Sequence, residues 1–271
     1  MTKVDATIKR IIREKDAAIK TGTEAMRDIL KNLHGQVMAE LGKAALGSWD
    51  AYSLRQYLDS IEGQMANYQS LAKAAAGALL AKSWAAGQTL VTETLVAGAV
   101  PVEAIYSGFY ISSSVLDVMK GFTFHKFEGL SAAAWDQVKG ELTLGIMGGK
   151  TPQEVAAAIG KNIDAGKFAS IAQRAEVITK TEMGRVFSQA SQLRMEQAAE
   201  YVPGLEKEWR HVGHPAKPRL THLGVSGQHV PVKEPFNVGG VLMMFPRDPS
   251  APIEETINCG CDHVAYHANW N

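Results

Sequence analysis

Residues Ser53 to Ala97 read SLRQYLDSIEGQMANYQSLAKAAAGALLAKSWAAGQTLVTETLVA, a run without a single proline. Apolar side chains recur at Leu54, Tyr57, Leu58, Ile61, Met65, Tyr68, Leu71, Ala75 and Leu79. That spacing of three or four is the period of one helix face. Ser53 followed by Gln56 three residues on marks a helix start. Unbroken, such a helix is about 68 Å long at 1.5 Å per residue. A compact globule of this chain length has a diameter of only roughly 48 Å. Two arrangements satisfy both lengths. Gly63, Gly77 or Gly87 interrupts the helix and the region is an antiparallel bundle, or the helical region is elongated and braced by partners. The small-residue face formed by Ala74, Ala75, Ala78, Ala81 and Ala85 suits close helix–helix contact in both. The elongated form is the one adopted.

Upstream, Val4, Ile8, Ile11, Ala18, Gly22, Met26, Ile29, Leu33, Val37 and Leu41 make a second stripe, interrupted by Lys15 where an apolar residue belongs. Thr21 with Glu24 has the form of a capping box and predicts a restart of this helix. Downstream, Gly148-Gly149 reads as a turn. Thr151-Pro152-Gln153-Glu154 is then a start signal, with a threonine cap, proline in the first turn and a glutamate at the third position. A further helix is predicted from Phe168 to about Tyr201. On it Arg174, Ile178, Glu182 and Arg185 share a face. They form either a surface ion pair, which is the expectation taken, or a buried Arg–Glu contact that fixes the helix on the C-terminal domain.

The prolines divide the chain. Only Pro101 and Pro152 fall in the first 200 residues, and eight fall in the last 71; six of the eight histidines lie from His211 onward. Proline blocks helix interiors, so the first 200 residues can be mostly helix and the last 71 cannot. The boundary is placed near Tyr201-Val202-Pro203-Gly204. Beyond it a small α+β region is predicted: a strand at Glu206–Val212, a loop at His214–Pro218, a helical turn at Arg219–Leu223, a turn at Val225–Gln228 before His229–Val232, a strand from Val238 to Phe245 opened by Gly239-Gly240, a loop at Pro246–Pro252, and short elements from Ile253 to Tyr266. The fold class is therefore α+β, an elongated, mostly helical N-terminal region with a small C-terminal α+β domain. Along the chain this gives a partner-docking helical region at 1–141, a second helical part at 142–202 and the α+β domain at 203–271.

Lysine and arginine number 28 against 28 aspartates and glutamates, so the formal net charge is zero. That argues against gripping nucleic acid by bulk electrostatics. Leu95–Leu116 is the most apolar stretch, but Pro101, Glu103 and Ser112-Ser113-Ser114 make it a buried or oligomer-facing helix rather than a membrane span. The serine run reads as helix packing. No targeting segment is visible at the N-terminus, which is consistent with a product made and assembled in the cytoplasm. Gly145–Thr151 lacks the spacing of a phosphate-binding loop.

Several pieces, taken in order, resemble a known family. They are Arg174–Glu182, Trp209, Pro218-Arg219-Leu220-Thr221-His222, Gly227, Val230-Pro231-Val232, Glu234-Pro235-Phe236, Pro246, Asp248-Pro249-Ser250 and Ile257-Asn258-Cys259-Gly260-Cys261. Together they resemble the phage Mu F-like family of minor head proteins, over about Leu142 to Tyr266. The resemblance implies a low-copy structural protein of a tailed-phage or prophage head, in the virion near the portal. It implies the portal and other head proteins as partners and no catalytic residue. Arg174, Glu182, Trp209 and Phe236 are carried over as structural residues, with Phe245 joining Trp209 and Phe236 in a core. Two features depart from the family pattern. Gly260 stands where an arginine is common between the cysteines, and the arginine-rich loop before the histidine is reduced to Lys217-Pro218-Arg219.

The only two cysteines, Cys259 and Cys261, with His222, form the metal candidate. Thiolate and imidazole are the donors zinc prefers, and a closed site would staple a loop-rich region. His211, His214, Asp262 and His263 are the candidates for a fourth ligand. The competing reading makes the cysteines small buried hydrophobes and has His222 bonded to backbone. His211, His214, His222 and His229 among Lys207, Arg210, Lys217 and Arg219 also fit a metal-free nuclease or toxin domain, with one histidine as base and another cation on the phosphate. A head protein that touches DNA weakly and binds it less as salt rises is the remaining alternative.

Overall fold

Alanine, leucine, lysine, glutamine and glutamate fill the proline-poor part of the chain, and all favour helix. In a computed structural model, which describes residues 2–42, 51–101, 105, 112–146, 154–155, 157–159, 171–212 and 218–270, they form four long helices: α1 (Lys3–Gly42), α2 (Ala51–Ala97), α3 (Ser113–Ile146) and α4 (Ile171–Ala199). The C-terminal part continues as β1 (Glu206–His211), α5 (Leu220–Gly224), β2 (His229–Pro231), β3 (Phe236–Val238), β4 (Val241–Met243), α6 (Ile253–Thr256) and β5 (Cys261–Tyr266), with a last 3-10 turn at Ala268–Trp270. The architecture is α+β, helical first and mixed at the end.

Helix α2 is unbroken, so none of Gly63, Gly77 and Gly87 interrupts it. The reason at Gly87 is packing. A β-carbon there would stand 2.3 Å from the Phe187 carbonyl oxygen and 2.9 Å from the Ala190 side chain. Ser191 Oγ donates to the Gly87 carbonyl at 3.0 Å. The glycine lets two helix backbones touch. Helix α1 is likewise continuous through Thr21–Glu24, against the predicted restart, because Gly22 and Thr23 are buried within it. Helix α2 stops at Ala97, so Leu95–Leu116 is not one helix. Ser112 caps α3 rather than packing: its Oγ accepts the Ser114 N–H at 3.2 Å, and all three serines are exposed. The turn at Gly148-Gly149 and the cap at Thr151–Gln153 lie outside the described residues. No helix among the described residues is long and apolar enough to cross a membrane.

The chain packs as two compact units that do not follow a partition at 141 and 202. One comprises Thr21–Ala78 and Lys120–Thr179, the other Met1–Lys20, Leu79–Met119 and Lys180–Asn271. In the first, α1 buries Met26, Leu30, Leu33 and Val37 against Ile61, Met65, Tyr68 and Ala72 of α2 and Phe127, Leu130, Val138 and Leu142 of α3.

The second unit holds the sheet. Its order is β2-β1-β5, antiparallel throughout, with Trp209 opposite His263 and His211 opposite Cys261. Strands β3 and β4 form a separate hairpin. The single strand predicted from Val238 to Phe245 is thus corrected to one arm of a hairpin. Gly239 and Gly240, at φ +60 and +93, are its turn, because a two-residue turn with both φ positive matches strand twist and admits glycine freely. The sheet is helix-backed rather than a self-contained domain. Val264 packs with Ile8 and Ile11 of α1 and Phe187 of α4, and Ala265 packs with Leu95 and Met195. Trp209 and Phe236 share a core with Val225, Val238, Met243 and both cysteines. Phe245 is buried outside that cluster, facing His263.

Candidate metal centre

Strand β5 begins at Cys261, and the preceding Asn258 takes φ +53, which turns the chain sharply out of α6. The Asn258 N–H donates to Thr181 Oγ of α4 at 3.0 Å. Alternate residues of extended backbone point the same way, so a single intervening residue puts both thiols on one side. The Cys261 N–H donates to Cys259 Sγ at 3.4 Å. The short helix α5 supplies the third group. His222 Nδ1 lies 3.5 Å from Cys259 Sγ and 3.6 Å from Cys261 Sγ, and the three donor atoms all fall within 4.8 Å of one another. All three residues are buried. They can hold one metal ion. The alternative that His222 bonds backbone is not the arrangement found: its Nδ1 faces sulfur, and its Nε2 is 2.8 Å from Glu255 Oε2 on α6.

These groups shift one another's protonation equilibria. Its bond to Cys261, then His222 and the Arg247 charge, hold Cys259 well below the ordinary thiol range against the pull of burial. The pairing with Cys259, and burial, push Cys261 up. Burial lowers the His222 imidazole, but the Cys259 and Glu255 contacts outweigh it and raise it overall.

The floor beneath the cluster is built from Arg247. It takes a left-handed φ of +69 and is buried. Its Nε donates to the Cys259 carbonyl at 2.9 Å, and its Nη1 to the Gly184 carbonyl at 3.2 Å and Ser188 Oγ at 3.3 Å. Arg185 Nε in turn donates to the Arg247 carbonyl at 3.0 Å. Glu182 holds Arg185 Nη1 through both carboxylate oxygens, at 2.7 and 2.8 Å. The surface placement expected for this pair is corrected: it is buried, because its role is to carry the loop that bears Arg247. Arg174, on the same helix, is exposed. Asp248 closes the loop by accepting the Met244 N–H at 2.7 Å and the Ser250 N–H at 2.9 Å.

The other candidates are distributed. His211 Nδ1 is 3.7 Å from Cys261 Sγ. Asp262, on the opposite face of β5, is ion-paired with Lys15 and faces Arg247 Nη1 at 3.6 Å. His263 is fully buried and kept neutral by burial and by the Lys207 and Arg247 charges, with neither ring nitrogen hydrogen-bonded among the described residues. His229 stacks on Tyr266 at 3.7 Å between ring centroids. His214 lies outside the described residues. Glu255 and Arg247 belong to the site without being among the residues read from the sequence. The signal for Glu255 is its place two residues inside the α6 start, three before Asn258; nothing in the local pattern marks Arg247.

No family profile matches the chain, and no solved structure matches it. The chain is similar to the uncharacterized protein YqbB of Bacillus subtilis (strain 168), at 33% identity over 84 residues, which is 30% of this chain. The match spans 28% of that relative's length.

Proposed function

We propose that this chain is a structural minor head protein of a tailed phage or prophage, acting in capsid assembly and DNA packaging at or near the portal. The observation that supports this reading is the use made of the residues that resemble the Mu F-like family. Thr181 and Glu182 brace the loops of the C-terminal part, Trp209 and Phe236 fill its core, Asp248 closes a turn, and Cys259, Cys261 and His222 face one another. Each serves to hold the fold. Binding then comes from helix faces buried at interfaces with portal and other head proteins, not from a reactive cleft. The chain acts in the host cytoplasm during assembly and stays in the virion.

The metal at the cysteine–histidine cluster is zinc on this reading. Two thiolates and an imidazole are its preferred donors, and the β-rich part, with strands of three to six residues, gains from a staple. Deleting the coding sequence from the parent genome tests the function. Absent or misassembled heads, restored by supply in trans, are expected. Normal infectious heads would overturn the proposal. Degradation of RNA or DNA by the purified chain, lost in His222→Ala, would replace it with a nuclease.

A further inference from the structure

The cysteine–histidine cluster has three groups, and a closed tetrahedral site needs four. We infer that His211 is the fourth ligand, giving a structural site of two cysteines and two histidines, with Glu255 orienting the inner histidine. The inference deepens the zinc reading above and rests on it, but not on the virion role.

The first argument is spacing. Zinc–sulfur bonds of about 2.3 Å and zinc–nitrogen bonds of about 2.0–2.1 Å at tetrahedral angles put sulfur and nitrogen roughly 3.5–3.6 Å apart. The two separations from His222 Nδ1 are 3.5 and 3.6 Å. The separation from His211 Nδ1 to Cys261 Sγ is 3.7 Å, close to one sulfur–nitrogen edge of such a tetrahedron; His211 stands outside the three mutually close donors and completes the set by turning toward them. The second argument is register. His211 is the cross-strand partner of Cys261 at the end of the β1–β5 ladder, so both side chains rise from the same face. There His211 is partly exposed while the other three groups are buried, which leaves it free to turn onto the ion as the outer ligand.

The third argument is orientation. A ligating imidazole needs its other nitrogen to donate, usually to a carboxylate. His222 Nε2 meets Glu255 Oε2 at 2.8 Å, which leaves the Nδ1 lone pair for the metal. Binding displaces the thiol protons, and two thiolates with two neutral imidazoles then balance the dication. Among the described residues the rival donors stand outside the cluster. Asp262 belongs to Lys15 and Arg247, and His263 stacks with Phe245 with ring centroids 6.1 Å apart.

The test uses the full chain loaded with Zn2+ and, for spectroscopy, with Co2+. The wild type is expected to bind one ion per chain, with the visible bands of a tetrahedral cobalt site and thiolate-to-metal charge transfer. His211→Ala should lower affinity by more than the about 10–100-fold typical of losing an orienting partner, and Glu255→Gln should fall within that range. His211→Cys should keep the tetrahedral spectrum and add charge-transfer intensity from a third thiolate, which also guards against a variant that merely misfolds. His229→Ala, on the neighbouring strand, should change nothing. Wild-type affinity and spectrum in His211→Ala, or their loss in His214→Ala instead, would overturn His211 while leaving the zinc reading intact. A wild-type chain that binds neither ion would overturn both.

Discussion

Lys15 stands in the apolar stripe of α1 because the sheet places a carboxylate against it. Its ammonium pairs with Asp262, also buried, and lies 5.2 Å over the Phe187 ring. A buried pair adds little over an apolar one, but removing one partner strands the other charge. Lys15→Met should therefore destabilise the chain by about 3 kcal/mol in urea unfolding, and adding Asp262→Asn should recover part of that loss. Equal instability of the single and double variants would show that the pair is not coupled. Lys207 is a second buried amine, and its ammonium donates to the Met244 carbonyl at 2.7 Å and Gln192 Oε1 at 3.2 Å. Burial pulls it from the lysine value of 10.5 to about 8, against the Glu196 and Asp248 charges. The unfolded chain thus holds a proton on this group that the folded chain gives up between pH 8 and 10.5, and stability rises with pH across that window. Between about pH 8 and about pH 10 the rise is worth roughly 2 kcal/mol; it should be absent from Lys207→Met and so make up the difference between wild type and that variant. At this scale the sequence is a partial guide. The stripe marks Lys15 as out of place, but its partner lies 247 residues away. The two cysteines and His222 are visible as metal donors, whereas the 3.7 Å approach of His211 comes from strand register, which no local pattern encodes.

Among the elements, the long helices are legible because a period of three to four persists over many turns, while their interruptions are not. A glycine reads as a breaker or as a contact with the same letter, and the neighbour decides. At Gly87 a β-carbon meets the Phe187 carbonyl, whereas at Gly63 it meets open space. Gly87→Ala should cost about 1–3 kcal/mol by overpacking. Gly63→Ala should gain about 0.5–1 kcal/mol through helix propensity. Thermal unfolding of the two variants checks both, and the same sign for both would contradict the packing account. The β elements are shorter and depend on turn chemistry. Gly239-Gly240 carries the signal of a hairpin turn, but three-residue strands on either side offer too little alternation to show where one ends. The Arg185–Glu182 pair has the spacing of a surface ion pair and is buried only because the loop around Arg247 covers it.

For the whole molecule, the chain order of helix then sheet is legible from proline placement, but the packing units are not. Residues 1–20 and 79–119 pack with 180–271, since Ile8 and Ile11 need Val264 as much as Val264 needs them. The C-terminal part is thus supported by segments from across the chain, and the role proposed for it is assembly with other head proteins. That assembly role is the central claim, and quantitative mass spectrometry of gradient-purified particles from the parent phage or induced prophage tests it most directly. The account predicts this chain in DNA-filled particles, at a fixed ratio to the portal protein and far below the major capsid protein. Its absence from intact particles, with the chain recovered only in the soluble lysate, would contradict it.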